Sequence, residues 1–305
     1  MFKQGAFVNI LTSGPNQWKS TLASLLRLPL LDHIELWLEH IPRGNELKEI
    51  KSAFRGVPLI IHGPFIHTSL LSHVPEIVKA TERRFNETLE FASKVDARVV
   101  TFHGGSYPLF ESKADALEKL AARFEPFSKT KDPVATLENM PIKSYGTVKE
   151  PIGALSDYDE ILRLLPGLRL TLDVGHSLQN EDDFVDFIKK HSSRIENIHL
   201  HDGIPRGRGH LRLGNGTLDL ASLLDALVEV SFNKYVSMET IALDDTKFSW
   251  GTLREAESRK GIRDADSGSR HELALSDGES SLVRPKASVT SRQAQTGRRR
   301  RGRGI

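Results

Sequence analysis

Cysteine is missing from all 305 residues, which removes disulfides, thiolate nucleophiles and Cys-type zinc sites together. Any metal would have to be held by His, Asp and Glu. That N/O donor set suits zinc, manganese, cobalt or iron. No apolar run approaches 18 residues, so no membrane span is expected. The opening segment MFKQGAFVNI lacks the long apolar stretch of a secretory signal, and a cytoplasmic location is the expectation. No glycine-rich nucleotide fingerprint follows the first apolar run; LTSGPNQW reads as a loop, not a phosphate cradle. What is present, 38% hydrophobic and 27% charged residues, is the composition of an ordinary globular protein.

The net charge of +2 conceals two unlike parts. Residues 261–305 hold ten Lys/Arg against five Asp/Glu, a surplus of +5 that leaves −3 on residues 1–260. The larger part therefore does not advertise nucleic-acid binding by bulk charge. The tail is rich in Ser, Gly, Arg and Asp, has no sustained apolar periodicity, and closes on GRRRRGRGI. It reads as a disordered, solvated basic extension.

Eight short runs rich in Val, Ile and Leu lie at 6–11, 33–38, 58–62, 98–103, 134–138, 168–173, 195–200 and 235–239. Such runs suit strands buried on both faces of a parallel sheet. Segments with helical spacing separate them at 17–28, 75–95, 113–127, 158–165, 182–190 and 220–230, with a thinner stripe at 247–260. Alternating strands and helices in this number predict an α/β fold of the (β/α)₈ TIM barrel type over residues 1–260. A doubly wound open sheet is the competing arrangement.

Nearly every apolar run ends in an acid–base or metal-ligating side chain: Glu35, His62, His103, Glu138, Asp173 with His176, His199 and Glu239. A lone histidine at a strand end is more often a hydrogen-bonded structural residue than a ligand. A parallel barrel, however, carries all strand C-termini to one rim, so these side chains would converge there. A carboxylate buried at such a place is costly unless a cation or hydrogen bonds compensate. The convergence points to an enzyme. Trp37 could flank a substrate ring, although an aromatic at a strand end more often belongs to the core.

The segments TFHGG, TLENM, TLDVGHS, NIHLHDG, GHLRLGNGTLDL and SMET resemble the xylose isomerase-like TIM barrels. That superfamily includes sugar phosphate isomerases and epimerases, inosose-processing enzymes and endonuclease IV. The resemblance spans residues 5–245 and is more specific for fold and metal site than for reaction. It implies a divalent metal, zinc or manganese with cobalt or iron as alternatives, held by Glu138, Asp173, His199 and Glu239. The endonuclease IV pattern adds His62 and His103 for one further metal, and His176 and His210 for another. Its remaining ligand, an aspartate two residues before His210, is Arg208 in this chain. An arginine cannot ligate a cation, which argues against the third metal.

The resemblance thus implies two chemistries. A metal-dependent isomerase or epimerase of a sugar or sugar phosphate would use Glu138 and Glu239 as the catalytic carboxylates that remove and return a proton. Glu35, His176, Arg206 and Arg208 are its candidate substrate contacts. A metal-dependent phosphodiesterase acting on abasic-site DNA would use the same carboxylates to hold metals that activate water, with Phe65 as a possible wedge. No basic, aromatic-bearing loop in 1–260 reads as a duplex grip, so the isomerase or epimerase leads. A barrel that has lost its activity is a third class. The intact set of four ligands argues against it.

Overall fold

The computed structural model describes residues 1–9, 17–142 and 146–262. Eight strands form a closed parallel barrel: β1 (Lys3–Asn9), β2 (His33–Trp37), β3 (Leu59–His62), β4 (Val99–Phe102), β5 (Val134–Glu138), β6 (Arg169–Asp173), β7 (Ile195–Leu200) and β8 (Tyr235–Met238). Each pairs with its sequence neighbours, and β1 closes the ring against β8. The helices are α1 (Gln17–Leu25), α2 (Gly44–Ala53), α3 (Pro75–Lys94), α4 (Lys113–Ser128), α5 (Ser156–Leu164), α6 (Val174–Gln179), α7 (Phe184–His191), α8 (Leu220–Glu229) and α9 (Leu243–Arg259). The expected TIM barrel is the fold found.

The strands depart from the expected uniformly apolar run, because only one of their two faces is oily. The outward positions Ala6, Val8, Ile34, Leu36, Ile61, Val100, Phe102, Leu137, Leu170, Leu172 and Ile198 pack under the helices in the main core. Phe102 on β4 stacks on Phe85 of α3 at 4.0 Å, and Phe124 and Phe127 of α4 close around it. The inward positions alternate with these, and because the strands are staggered, register partners such as Asn197 and Tyr235 or Glu138 and Thr171 come from different levels. The lowest level is an apolar plug of Ile60, Val99 and Tyr235. Above it lie Glu35, Thr101, Thr136, Thr171, Asn197 and Ser237, all fully buried. Their polar groups satisfy one another: Thr171 Oγ1 lies 2.9 Å from Thr101 Oγ1 and 2.7 Å from Thr136 Oγ1.

Two helices lie where no helical stripe was expected. α2 buries only Ile50, so its apolar signal is a single residue deep. α6 is six residues long and starts directly on the last residue of β6, too short to show a period. A two-stranded antiparallel pair, Tyr107–Pro108 with Val148–Lys149, also lies outside the expected pattern. The thin stripe at 247–260 does form a helix, which begins earlier, at Leu243. Trp250 and Leu253 are its buried apolar anchors, and Trp250 donates its indole N–H to Pro29 O at 3.0 Å. The tail expected over 261–305 lies, from residue 263 onward, outside the described residues. Among the described residues no helix is long and apolar enough to cross a membrane.

Candidate active site

The upper level of the barrel interior is built from strand ends. His62, Glu138 and Asp173 are the last residues of β3, β5 and β6; His199 lies on β7; His103 and Glu239 follow β4 and β8 by one residue. Asn139 ties two of these ends together. Its Oδ1 accepts the Asp173 N–H at 2.8 Å, and its Nδ2 donates to Asp173 O at 2.9 Å. Asp173 also caps α6, its Oδ1 accepting the His176 N–H at 2.6 Å. This frees Oδ2 to face the barrel axis.

Glu138, Asp173, His199 and Glu239 each bring one donor atom to a common point, all within 4.8 Å of one another. His199 Nδ1 stands 2.9 Å from Glu239 Oε2, 3.3 Å from Glu138 Oε1 and 3.9 Å from Asp173 Oδ2. Neither His199 Nδ1 nor Glu239 Oε2 has a hydrogen-bond partner, although both are buried. Orphaned buried polar atoms are costly, and here two of them face one point with two more carboxylates. Three carboxylates and an imidazole meeting there fit a divalent cation. Burial opposes charge on Glu138 and Glu239, but His199 outweighs it and holds both carboxyls below the usual carboxylate range. Burial likewise opposes charge on His199, while Glu35, Glu239 and Glu138 together raise it well above the usual imidazole value.

Two further groups of donors flank the centre: His62, His103 and Glu138 on one side, His176, His201 and His210 on the other. The tautomers are set by fixed acceptors. His62 Nδ1–H donates to Gly63 O at 3.0 Å, leaving Nε2 3.5 Å from Glu138 Oε2, and His176 Nδ1–H donates to Asn139 O at 2.9 Å. His103 Nε2–H donates to Glu138 Oε2 at 3.1 Å.

His201 is not among the expected site residues, because in NIHLHDG the apolar run ends at Leu200 and His201 lies beyond it. Yet His199 and His201 are i and i+2, so they share the inward face of one extended segment. That spacing was the available signal. His201 Nε2–H donates to Asp173 Oδ2 at 3.0 Å. Burial works against charge on this ring, and Asp173 outweighs it, pushing the ring up to about 9. The N–H of His210, however, points at Nδ1 from 2.8 Å. Asp202 O lies 3.1 Å from the same nitrogen, so a fixed donor and a fixed acceptor share Nδ1. Asp202, next in sequence, is not turned to the site. Its carboxylate accepts the N–H groups of Gly203, Gly214, Gly216 and Leu218, each at 2.9 Å, and so folds the 203–218 loop that presents His210.

A cavity of about 660 Å³ opens over this centre, lined by His62, His103, Glu138, His176, His210 and Glu239 beside an apolar wall. In that wall Phe65 stacks on Trp37 (ring centroids 5.2 Å, 14°) and over His103 (4.7 Å, 24°). Glu39 holds the wall in place: it accepts the Trp37 indole N–H and the Phe65 N–H, both at 3.0 Å. Trp37 and Phe65 are therefore cavity residues; six of the eight candidate ligands line the cavity, and Asp173 and His199 are fully buried beside Glu138 and Glu239.

Three of the four candidate substrate contacts lie elsewhere. Glu35 is fully buried below the cavity floor, both its oxygens engaged by His199 and Asn197. The gathering of strand C-termini at one rim led to its expectation there, but Trp37, the last residue of β2, is the one that lines the cavity. Arg206 is exposed and pairs with Glu181 at 2.6 Å. Arg208 is exposed, and neither arginine lines the cavity. Of that group only His176 faces the site.

Over 199 residues the chain is 27% identical to the uncharacterized protein MJ1614 of Methanocaldococcus jannaschii, covering 64% of this chain and 76% of that protein. Among solved structures, a D-tagatose 3-epimerase-like protein superposes with a TM-score of 0.74 at 20% identity, covering 86% of this chain and 98% of the other. A D-psicose 3-epimerase crystallised in the presence of D-fructose gives a TM-score of 0.66 at 17% identity, covering 86% and 99%. At such identities the likeness speaks for the fold. A family match runs over residues 31–264, from β2 past the end of α9. On that match, this chain belongs to the xylose isomerase-like TIM barrel family.

Proposed function

We propose that this protein is a divalent-metal-dependent isomerase or epimerase of a sugar, moving a proton at the carbon beside a carbonyl. The observation that carries this reading is the ligand cluster: three carboxylates and His199 with donor atoms inside 4.8 Å, two of them buried without partners. Its structural neighbours are sugar epimerases. Glu138, Asp173, His199 and Glu239 would hold zinc or manganese, with cobalt or iron as alternatives. When bound, such an ion supplies positive charge beside the substrate's carbonyl and hydroxyl oxygens, which acidifies the carbon between them.

The chain's own residues do the rest. Glu138 and Glu239 are ionised, as a proton acceptor must be, and both line the cavity. One takes the proton and the other returns it from the far side. His62, His103 and His176, each with a fixed tautomer or a carboxylate partner, are placed to hold substrate hydroxyls. The stacked Trp37–Phe65 wall gives the C–H face of a sugar ring an apolar surface and excludes water. The described lining holds no Lys or Arg. Arg and Lys are the usual partners of phosphate, so this lining favours a neutral sugar over a sugar phosphate or DNA.

A second reading, metal-dependent cleavage of abasic-site DNA, draws on one observation. The His62–His103–Glu138 and His176–His201–His210 groups flank the centre and could hold further ions. The deciding experiment loads the protein with manganese or zinc and follows deuterium exchange from D₂O into a panel of ketoses by NMR, beside an abasic-site DNA assay. Metal-dependent exchange is expected, with Glu138→Gln and Glu239→Gln each lowering it on the order of 10²–10⁴-fold. Asp173→Ala should strip the metal. Abasic-DNA cleavage with no exchange into any ketose would replace the first reading by the second.

A further inference from the structure

Glu35 is a fully buried carboxylate that does not reach the cavity. An ionised group in that position must be compensated by hydrogen bonds or charge. Its two oxygens are both engaged: Oε1 with His199 Nε2 at 3.0 Å and Oε2 with Asn197 Nδ2 at 2.8 Å. Asn197 is itself oriented, because its Oδ1 accepts the Ser237 hydroxyl at 3.2 Å. Ser237, having given its proton upward, accepts from His33 Nε2–H at 2.9 Å. Gly5 makes room for that ring, since a Cβ there would lie 2.2 Å from His33 Nε2. Every donor in this buried column therefore runs toward Glu35, and no member can turn over without setting two like groups face to face.

The column has one outlet. A carboxylate only accepts, so His199 must keep a proton on Nε2, and Nδ1 is the nitrogen left to face Glu138, Asp173 and Glu239. We propose that Glu35, itself aimed by the Asn197–Ser237–His33 column, is the positioning residue that commits His199 Nδ1 to the ligand cluster. The inference rests on the reading of that cluster as a metal site. A carboxylate behind a ligating histidine fixes its ring and raises its basicity, and losing such a partner typically weakens metal affinity about 10–100-fold.

The test uses the full chain with Glu35→Gln, and with Ser237→Ala as a milder change that leaves the carboxylate but releases Asn197. Zinc affinity is measured by competition with an indicator. In parallel, the His199 Nε2–H resonance of the metal-free protein is followed by ¹H–¹⁵N NMR, assigned with His199→Gln. Glu35→Gln is expected to lower zinc affinity about 10–100-fold, move that N–H upfield and speed its exchange with solvent. Ser237→Ala should do the same to a smaller degree. At saturating metal, KM should stay within about twofold of the parent, because the group touches no substrate. Wild-type affinity and an unmoved N–H in Glu35→Gln would overturn the inference. A parent protein that binds no zinc, but whose N–H still shifts in Glu35→Gln, would sink the metal reading and leave the positioning of His199 standing.

Discussion

Replacing Gly175 by alanine adds one methyl group to the first turn of α6, where the structure leaves no space for it. Its Cβ would stand 1.8 Å from His201 Cε1 and 1.9 Å from Nδ1. The ring cannot retreat. It is fully buried, held by Asp173 Oδ2 at 3.0 Å and the His210 N–H at 2.8 Å, with the His210 ring stacked 4.2 Å away. Overpacking of this kind costs about 1–3 kcal/mol, and losing a hydrogen bond to a carboxylate adds about 1.5–3 kcal/mol. A total near 3–5 kcal/mol would lower Tm by roughly 6–20 °C for a domain of this size.

The assay is thermal and urea unfolding of the parent, Gly175→Ala, His201→Ala and the double variant, with zinc affinity measured on each. Removing the ring makes room for the methyl, so the double variant should be more stable than the sum of single losses predicts, by about 1 kcal/mol or more. Zinc affinity should fall in Gly175→Ala, because displacing His201 frees Asp173 to rotate. Stability within about 0.5 kcal/mol of the parent, or strict additivity in the cycle, would refute the steric argument.

Two other predictions address the barrel base and the chain end. Burial lowers the His33 ring to about 4 from its ordinary 6.5, so the unfolded chain binds the proton more tightly than the folded one. The associated stability is complete above about pH 6.5 and is lost as pH falls toward 4, amounting to roughly 3 kcal/mol. The pH profile of unfolding should therefore flatten over that window in His33→Gln, and an unchanged slope would show that the ring is not buried neutral. A chain ending after residue 265 retains the whole of α9, which closes on Arg259. It is expected to keep the parent's melting temperature and zinc affinity; loss of cooperative unfolding would show that the tail completes the barrel.

Much of this was written locally. The outward strand face and the helical stripes are contests between apolar and polar residues at fixed periods, and those periods are visible in any linear string. Glu138, Asp173 and His199 carry their meaning the same way, as polar side chains closing apolar runs in a barrel that gathers strand ends at one rim. The weaker elements left less trace: α2 buries a single isoleucine and α6 spans six residues.

What the linear string could not decide was depth. Glu35 and Trp37 are two residues apart on the same inward face of β2, yet one lies sealed beneath the ligands and the other walls the cavity. Their levels depend on how β2 is staggered against β1 and β3, a property of barrel closure and not of β2. His201 gained its place from the turn that carries the chain off β7 over α6, and Asp202 became the knot of a loop from partners 12 to 16 residues ahead. The two arginines of the same loop are exposed to solvent instead of lining the site, Arg206 paired with Glu181. Sequence alone determined which residues are chemically able to serve, through residue type and period. Only the closed barrel assigned them to floor, wall or support, because register, stagger and loop closure are set by contacts between strands far apart in the chain.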